Sequence, residues 1–359
     1  MTICIDCRMI DASGIGVYLR GCLPWFLQSK NDFLLIGNSG LLHDFTSNEN
    51  IKIIECNINP FSLRELLFFP IKTTRQINQA DLYFSPFFNI PKSIKIPVFT
   101  TIHDIIFFDM PNLVSKPGLL MRIYFYKRAA RLSKAIFTVS EFSKSRIKHF
   151  LGDSLNVINA SNAVNAPFQT ALKNLPEKKK NILFIGNIKK HKGLNLLLDA
   201  FLQCKEEGLD YGLVIVGSRN NFRSGDKKTS RRLDSLERHG IIFSGYISDA
   251  EKWKLLAESA LLVQPSLYEG FGYPPLEAML SGTQALISDI SVFKEVYSDF
   301  PVRFFRAEDR RDLHDKLLEI LSGKNPQTIY LNDTLIKKYT FEKTVSVILK
   351  ELESSRNTP

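Results

Sequence analysis

The sequence predicts an α/β protein of two doubly wound units, each a parallel sheet covered by helices. Three observations predict it. Short apolar runs rich in Ile, Val and Phe alternate with longer segments of helical period, which is how a parallel sheet buried beneath helices reads. The alternation stops at a polar stretch near the middle of the chain and then starts again. At 359 residues, the chain is also longer than a single hydrophobic core usually grows.

In the front half the candidate strands are "TICID", "DFLLIGN", "IKIIEC", "LYFSPF", "VFTTIHD", "AIFTVS" and "LNVINAS". The second half gives "NILFIGN", "YGLVIVG", "IIFSGY", "ALLVQPS" and "TQALIS", with "GLNLLLDAFLQCKEE", "DAEKWKLLAESA" and "PPLEAMLSG" as helices between them. Between the halves "TALKNLPEKKKN", residues 170–181, is polar, holds Pro176 and four lysines, and reads as a linker. The expected domains are therefore residues 1–170 and 171–335. The remaining segment, 336–359, has helical period and no strand after it, so it is expected to cross back to the front domain. Doubly wound sheets bind ligands outside the carboxyl ends of their strands, and two such sheets with those ends facing each other define a cleft.

Composition narrows the classes of function. The net charge of +10 is uneven: residues 113–150 hold nine basic side chains and one acid, Glu141, interleaved with Leu119, Leu120, Met121, Ile123, Tyr124, Phe125 and Tyr126. Arg122, Lys127, Arg128 and Arg131 lie at the centre of this stretch, which suits an anionic surface; a solvated helix face is the competing reading. Nucleic acid is not expected, because no aromatic platform or recognition motif accompanies the basic residues. No run approaches the roughly 18 to 20 apolar residues of a membrane-spanning helix, and the N-terminus lacks a signal-peptide pattern, so a cytosolic protein is expected. Five cysteines are an odd number, and Cys4 and Cys7 form a C-x-x-C with no second pair at zinc spacing; buried thiols are the expected outcome.

Every motif of interest follows a strand. In "SGIGVYLRG", Gly14 and Gly16 precede a helix, where glycines let a phosphate approach the backbone; the dinucleotide fingerprint fails because Leu19 stands where a third glycine belongs. A plain strand-to-helix turn remains open. "TIHDIIFFDMP" places His103 and Asp104 at a strand end, where His103 is either a satisfied core residue or a hydrogen-bond partner pointing into the cleft. In "FIGNIKKHKGLNLLLDAF", Lys189, Lys190, His191 and Lys192 stand just before a helix whose dipole disfavours cations, so an anion is wanted there.

"SLYEGFGYPPLEAMLSG" holds Glu269 and Glu277 with seven residues between them. Pro274 and Pro275 suit a first helical turn, Gly282 its end, and the backbone around Gly270, Phe271, Gly272 and Tyr273 makes a nest suited to a diphosphate. A ligand lying in that nest would offer one end to each carboxylate, and a carboxylate accepts two hydroxyl hydrogen bonds at once, as a vicinal diol offers. Taken singly, Glu277 reads as a first-turn acid and Glu269 as a solvated loop. A glycosidase pair fits poorly, since retaining hydrolases set their carboxyls about 5 to 5.5 Å apart across a bond.

With these segments, and with "FTVSEFSKSRI", "FSGYISDAEKWKLL" and "KYTFEKT" in the same order, the chain resembles the retaining glycosyltransferases of family 4 over nearly its whole length. The resemblance implies the GT-B fold of two Rossmann-like domains facing across a cleft, an acceptor-binding front domain and a nucleotide-sugar donor domain behind it. It suggests bacterial enzymes that build O-antigen, capsule or exopolysaccharide repeats, often mannosyl- or rhamnosyltransferases, with GDP-mannose favoured as donor. By that resemblance His103 and Glu269 hold the transferred sugar, Phe271 and Gly272 give backbone N–H groups to sugar and diphosphate, Glu277 binds the ribose, Lys192 the diphosphate and Gly16 its distal phosphate. Two departures stand out. Many members carry arginine where this chain has Asn187, so either Lys189 or Lys190 substitutes for that charge or the diphosphate is held less tightly, and the usual C-terminal tryptophan is Phe341.

The expected reaction moves a hexose to a lipid-linked glycan with retention of configuration. Lysine and backbone donors would stabilise the departing diphosphate, which can take the acceptor proton on the same face. The resemblance implies neither metal nor cofactor, and the donor half has no D-x-D at a strand end. The protein is expected at the inner face of the cell membrane. A nucleotide-sugar epimerase of the same fold, or a non-catalytic sugar-nucleotide-binding partner, are the alternatives.

Overall fold

In the computed structural model, the described residues are 1–45, 49–164, 175–217, 226–233, 235–236, 239–322 and 327–355. The chain divides into two compact units, Met1–Asn165 with Tyr339–Pro359, and Ala166–Lys338. The first five residues of the expected linker, 170–174, lie outside the described residues. Its last three residues do not belong to it: Lys179–Asn181 already run in a strand.

The first unit is a seven-stranded sheet of β1 (Thr2–Asp6), β2 (Asp32–Gly37), β3 (Ile51–Glu55), β4 (Leu82–Ser85), β5 (Val98–Thr101), β6 (Ser133–Thr138) and β7 (Val157–Asn159). The second unit has six, β8 (Lys179–Ile185), β9 (Gly212–Val216), β10 (Ile241–Gly245), β11 (Ser259–Gln264), β12 (Gln284–Ser288) and β13 (Arg303–Phe305). The strand orders are β3-β2-β1-β4-β5-β6-β7 and β10-β9-β8-β11-β12-β13, with neighbours parallel throughout. Each order reverses direction once, between β1 and β4 in the first sheet and between β8 and β11 in the second. A crevice for ligand opens at such a switch point.

The central strands read as continuous apolar runs because both faces are covered: β4, β5 and β11 are buried along their whole length. Cys4 and Cys7 show the same thing in one strand and its extension, since they are both buried but pack into different core clusters. β13 has only three residues and gave no apolar run long enough to be read as a strand.

The closing helix Phe341–Ser354 completes the first unit. Phe341, Val345, Ile348 and Leu352 fall at helical spacing and join the core cluster that includes Tyr18, Cys22 and Phe26 of the first helix, Ser13–Leu27. The two helices meet at Gly21, where an added Cβ would lie 2.2 Å from the Phe341 ring. Glycine in mid-helix is unfavourable by itself, and here it makes room for an aromatic side chain.

Candidate functional site

In the second unit the loops after β8 and β11 meet at the switch point. Lys190–Lys192 form a single 3-10 turn, Gly193 follows in the left-handed region (φ 67°), and the helix Leu194–Glu206 begins. Gly193 is required twice over, because a Cβ there would also sit 1.9 Å from the Pro265 carbonyl oxygen just beyond β11. The close approach is fixed by the Leu267 N–H, which donates to the His191 carbonyl at 2.7 Å. It brings two chemistry-bearing side chains together: Lys192 Nζ donates to Glu269 Oε1 at 2.7 Å and to Oε2 at 2.8 Å.

Glu269 is 8% exposed and sits on a buried chain of donors. Gln264 Nε2 donates to Ser266 Oγ at 3.0 Å, and Ser266 Oγ donates to Glu269 Oε1 at 2.7 Å, while Ser288 Oγ pins the Ser266 carbonyl. Burial pushes the Glu269 carboxyl up, but the Lys192 ammonium and the hydrogen bonds from Lys192 and Ser266 more than offset it, so its pKa lies below the ordinary glutamate value. Beside it, burial and the Lys192 charge lower the His191 imidazole to about 3, and its Nδ1 is buried with no hydrogen-bond partner among the described residues. The site thus holds a fixed carboxylate, a fixed ammonium and a neutral ring.

After Glu269 the loop passes Phe271, which is buried, to Gly272 (φ 88°), the N-cap of the helix Tyr273–Leu280. Among the described residues no side chain caps this helix, and Pro274 and Pro275 stand in its first turn, as the sequence suggested. Its start is anchored by Tyr297, whose hydroxyl donates to the Gly272 carbonyl. Glu277 is the fifth helical residue, so it does not lie in the first turn and does not act as a first-turn acid. It is 5% exposed and accepts from Lys252 Nζ at 2.7 Å. Lys252 comes from the helix Asp249–Glu258, whose start is held by a capping box of Ser248 and Glu251.

The structure therefore gathers Asn187, Lys189 and Lys192 on one loop and Glu269, Phe271, Gly272 and Glu277 on the facing loop and helix of the same unit. Sequence reasoning missed Lys252, Gln264, Ser266 and Ser288. Lys252 does carry a signal, since it precedes the buried Trp253 and lies one helical turn before the buried Leu256. Gln264 and Ser266 are polar residues closing an otherwise apolar run.

In the first unit, β5 ends at Thr101, so His103 stands two residues beyond the strand. Its Nε2 meets the Pro86 carbonyl at 2.9 Å; a carbonyl only accepts, so the ring carries its proton there and Nδ1 keeps a lone pair. Burial lowers this imidazole to about 4. Tyr18 stacks edge-on against it, with ring centroids 4.8 Å apart, which places the first helix beside His103. The switch point itself is filled by protein: the Asp6 carboxylate takes Arg8 Nη2 at 2.5 Å and the Tyr83 hydroxyl at 2.6 Å.

Two expectations for this unit need correction. Gly16 does not present its amide, because its N–H donates to the Ala12 carbonyl at 2.6 Å and a Cβ at this residue would lie 2.4 Å from the Ile10 carbonyl oxygen. Its glycine answers to packing, and the open backbone is at Gly14, where nothing lies within 4 Å of an added Cβ. Arg122 and Arg128 are half-buried and hydrogen-bonded to backbone carbonyls, unlike the fully exposed cations expected. Arg128 donates to the Ile90 and Pro91 carbonyls, and Arg122 donates to the Gly118 carbonyl at 3.0 Å and covers the Phe107 ring at 4.5 Å. Lys127 and Arg131 are exposed.

Comparison with known proteins gives the class of this fold. The family model described as "Glycosyl transferases group 1" matches residues 167–333, the unit that holds the paired lysines and glutamates. The chain is a glycosyltransferase, and that matched unit belongs to group 1. It is 27% identical over 261 residues to the O-antigen chain mannosyltransferase RfbU of Salmonella typhimurium, covering 71% of this chain and 69% of that protein. It is 29% identical to O-antigen chain mannosyltransferase B of Escherichia coli, covering 61% and 59%. A phosphatidyl-myo-inositol mannosyltransferase of Mycobacterium leprae matches at 27%, covering 60% and 58%, so the matches span less than two thirds of the last two relatives. Among solved structures, sucrose-phosphate synthase from Thermosynechococcus elongatus has a TM-score of 0.71 at 15% identity, covering 100% of both chains. Anabaena HepE, in complex with UDP and glucose, gives 0.70 at 16%, covering 99% and 100%. These two establish the GT-B fold.

Proposed function

We propose that this glycosyltransferase moves a hexose, with mannose favoured and GDP-mannose as its donor, onto a lipid-linked glycan during bacterial surface polysaccharide synthesis, retaining configuration. The observation that carries the proposal is the meeting of Lys192 and Glu269 at the β8/β11 switch point, next to the start of the helix Tyr273–Leu280. A nucleotide diphosphate sugar fits that arrangement: the diphosphate lies against the Phe271–Tyr273 backbone and the Lys192 ammonium, and its sugar hydroxyls donate to Glu269. As the donor bond breaks, Lys192 is already in place to stabilise the charge gathering on the leaving diphosphate, so little reorganisation is needed. The relatives named as mannosyltransferases support the choice of sugar.

The acceptor side is read from the helix Lys116–Leu132. Leu120, Tyr124, Lys127 and Arg131 are exposed and recur at helical spacing, giving one stripe with apolar and cationic side chains together. Such a stripe suits the surface of an anionic leaflet, at about 1 kcal/mol per basic residue near it. No helix among the described residues is long and apolar enough to cross a membrane.

The test is a thermal-shift panel with GDP-mannose, dTDP-rhamnose and UDP-hexoses, since a ligand that binds only the folded state raises the melting temperature. The expected result is the largest shift with GDP-mannose. A protein that none of them shifts would refute the donor site.

A further inference from the structure

The two glutamates are held differently. Lys192 bonds both oxygens of Glu269, whereas Lys252 bonds only Oε1 of Glu277, at 2.7 Å. No hydrogen bond among the described residues reaches Glu277 Oε2. The pair is well sheltered, with side-chain exposures of 17% for Lys252 and 7% for Glu277, and Asp249 lies a further 3.4 Å from the same ammonium. A buried ion pair of this kind is weak as a stabiliser, because desolvation of both charges offsets much of their attraction. Its geometric effect is to anchor one oxygen, which restricts the carboxylate and leaves the other oxygen as an acceptor.

We propose that Lys252 is a positioning residue of the donor site, holding Glu277 so that its second oxygen accepts a hydrogen bond from a ribose hydroxyl of the nucleotide. The inference rests on the donor reading given above and names the side chain that sets its preference for ribose. Lys252 acts through Glu277 and is assigned no contact with the sugar.

The experiment compares the affinities of GDP and UDP with those of their 2′,3′-dideoxy analogues by calorimetry. Wild type, Lys252→Met, Lys252→Arg, Glu277→Gln and the double variant Lys252→Met/Glu277→Gln are compared; the last leaves no unpaired charge buried, and if Lys252 acts only through Glu277 it binds both ligands as Glu277→Gln does, whereas a further loss in the double variant overturns the proposal. The expected result is that wild type binds the ribonucleotide about tenfold more tightly than the dideoxy form, a difference of ~1.4 kcal/mol. In Lys252→Met, and in the double variant, ribonucleotide binding weakens to the dideoxy level while dideoxy binding is unchanged. Lys252→Arg recovers part of the preference. A purely structural lysine would weaken both ligands equally, and that result, or a full ribose preference in Lys252→Met, overturns the proposal. If wild type itself shows no ribose preference, the ribose role of Glu277 fails, and if neither nucleotide binds, the donor site fails.

Discussion

Lys192 Nζ lies 2.7 Å and 2.8 Å from the two oxygens of Glu269, joining the loop after β8 to the loop after β11 across 77 residues of sequence. Removing one partner leaves the other charged and buried. Lys192→Met is therefore expected to cost about 3 kcal/mol or more of stability and to reduce turnover by at least about a hundredfold, as loss of a preorganised donor does. Lys192→Met/Glu269→Gln should recover most of the stability and none of the turnover. Urea unfolding together with release of nucleoside diphosphate reads both quantities, and a double variant that regains activity would remove the pair from the mechanism.

Gly193 and Gly240 make a controlled comparison. Both have positive φ, 67° and 72°, but an added Cβ meets the Pro265 carbonyl oxygen at 1.9 Å in the first and nothing within 4 Å in the second. Gly240→Ala should cost about 1 kcal/mol, the strain of the left-handed region alone. Gly193→Ala should cost clearly more and weaken donor binding as well, since it pushes Lys192 away from Glu269. Equal melting temperatures for the two variants would contradict the close approach described here.

Acid should destabilise the protein from near neutrality downward. His103 and His191 are held at about 4 and about 3, mainly by burial, whereas an unfolded histidine titrates at about 6.5. As pH falls below that value the unfolded chain takes up protons that the folded one does not. The stabilisation is complete above pH ~6.5 and declines below it, by at most ~1.4 kcal/mol per pH unit for each histidine until the folded-state value is reached. Glu269, whose pKa is depressed, adds its own loss only below about pH 4.5. Urea midpoints at pH 7.5 and 5.0 should differ accordingly, with a shallower slope in His191→Asn; a flat profile would show these rings to be solvated.

The basic residues of the Lys116–Leu132 helix should separate into two kinds. Lys127→Glu and Arg131→Glu are expected to weaken binding to phosphatidylglycerol vesicles, with little change in melting temperature. Arg128→Glu should instead destabilise the fold, because its guanidinium satisfies the Ile90 and Pro91 carbonyls. Vesicle sedimentation and thermal melts on the same samples decide it; unaltered sedimentation in the first two variants would end the membrane assignment.

The sequence made some of the site readable and hid the rest for a physical reason. Glu269, Gly272 and Glu277 are read from one contiguous segment, and Lys192 from another, because the backbone that positions them is local. Lys252 is only 25 residues from Glu277, but their pairing depends on how one helix faces another. Side-chain spacing within a helix does not set that angle. The same holds for Arg128, which looks like a surface cation until its acceptors, about 38 residues back in the chain, are in place. Gly16 failed in the opposite sense: a glycine before a helix suggested an approaching phosphate, and the atom that approaches is the Ile10 carbonyl oxygen. The strand series was legible wherever both faces were buried, and failed at β13, which is three residues long.

Phe341 packs against Gly21 and brings Val345, Ile348 and Leu352 into the core built by residues from the start of the chain. During synthesis, everything that Ala166–Lys338 needs for its own core leaves the ribosome before this last helix does. The unit encoded first is therefore the one completed last, and until then it exposes an apolar groove along its first helix. On that order a nascent chain of this protein is expected to pass through a stage in which its later unit can fold while its earlier unit still needs shelter from aggregation.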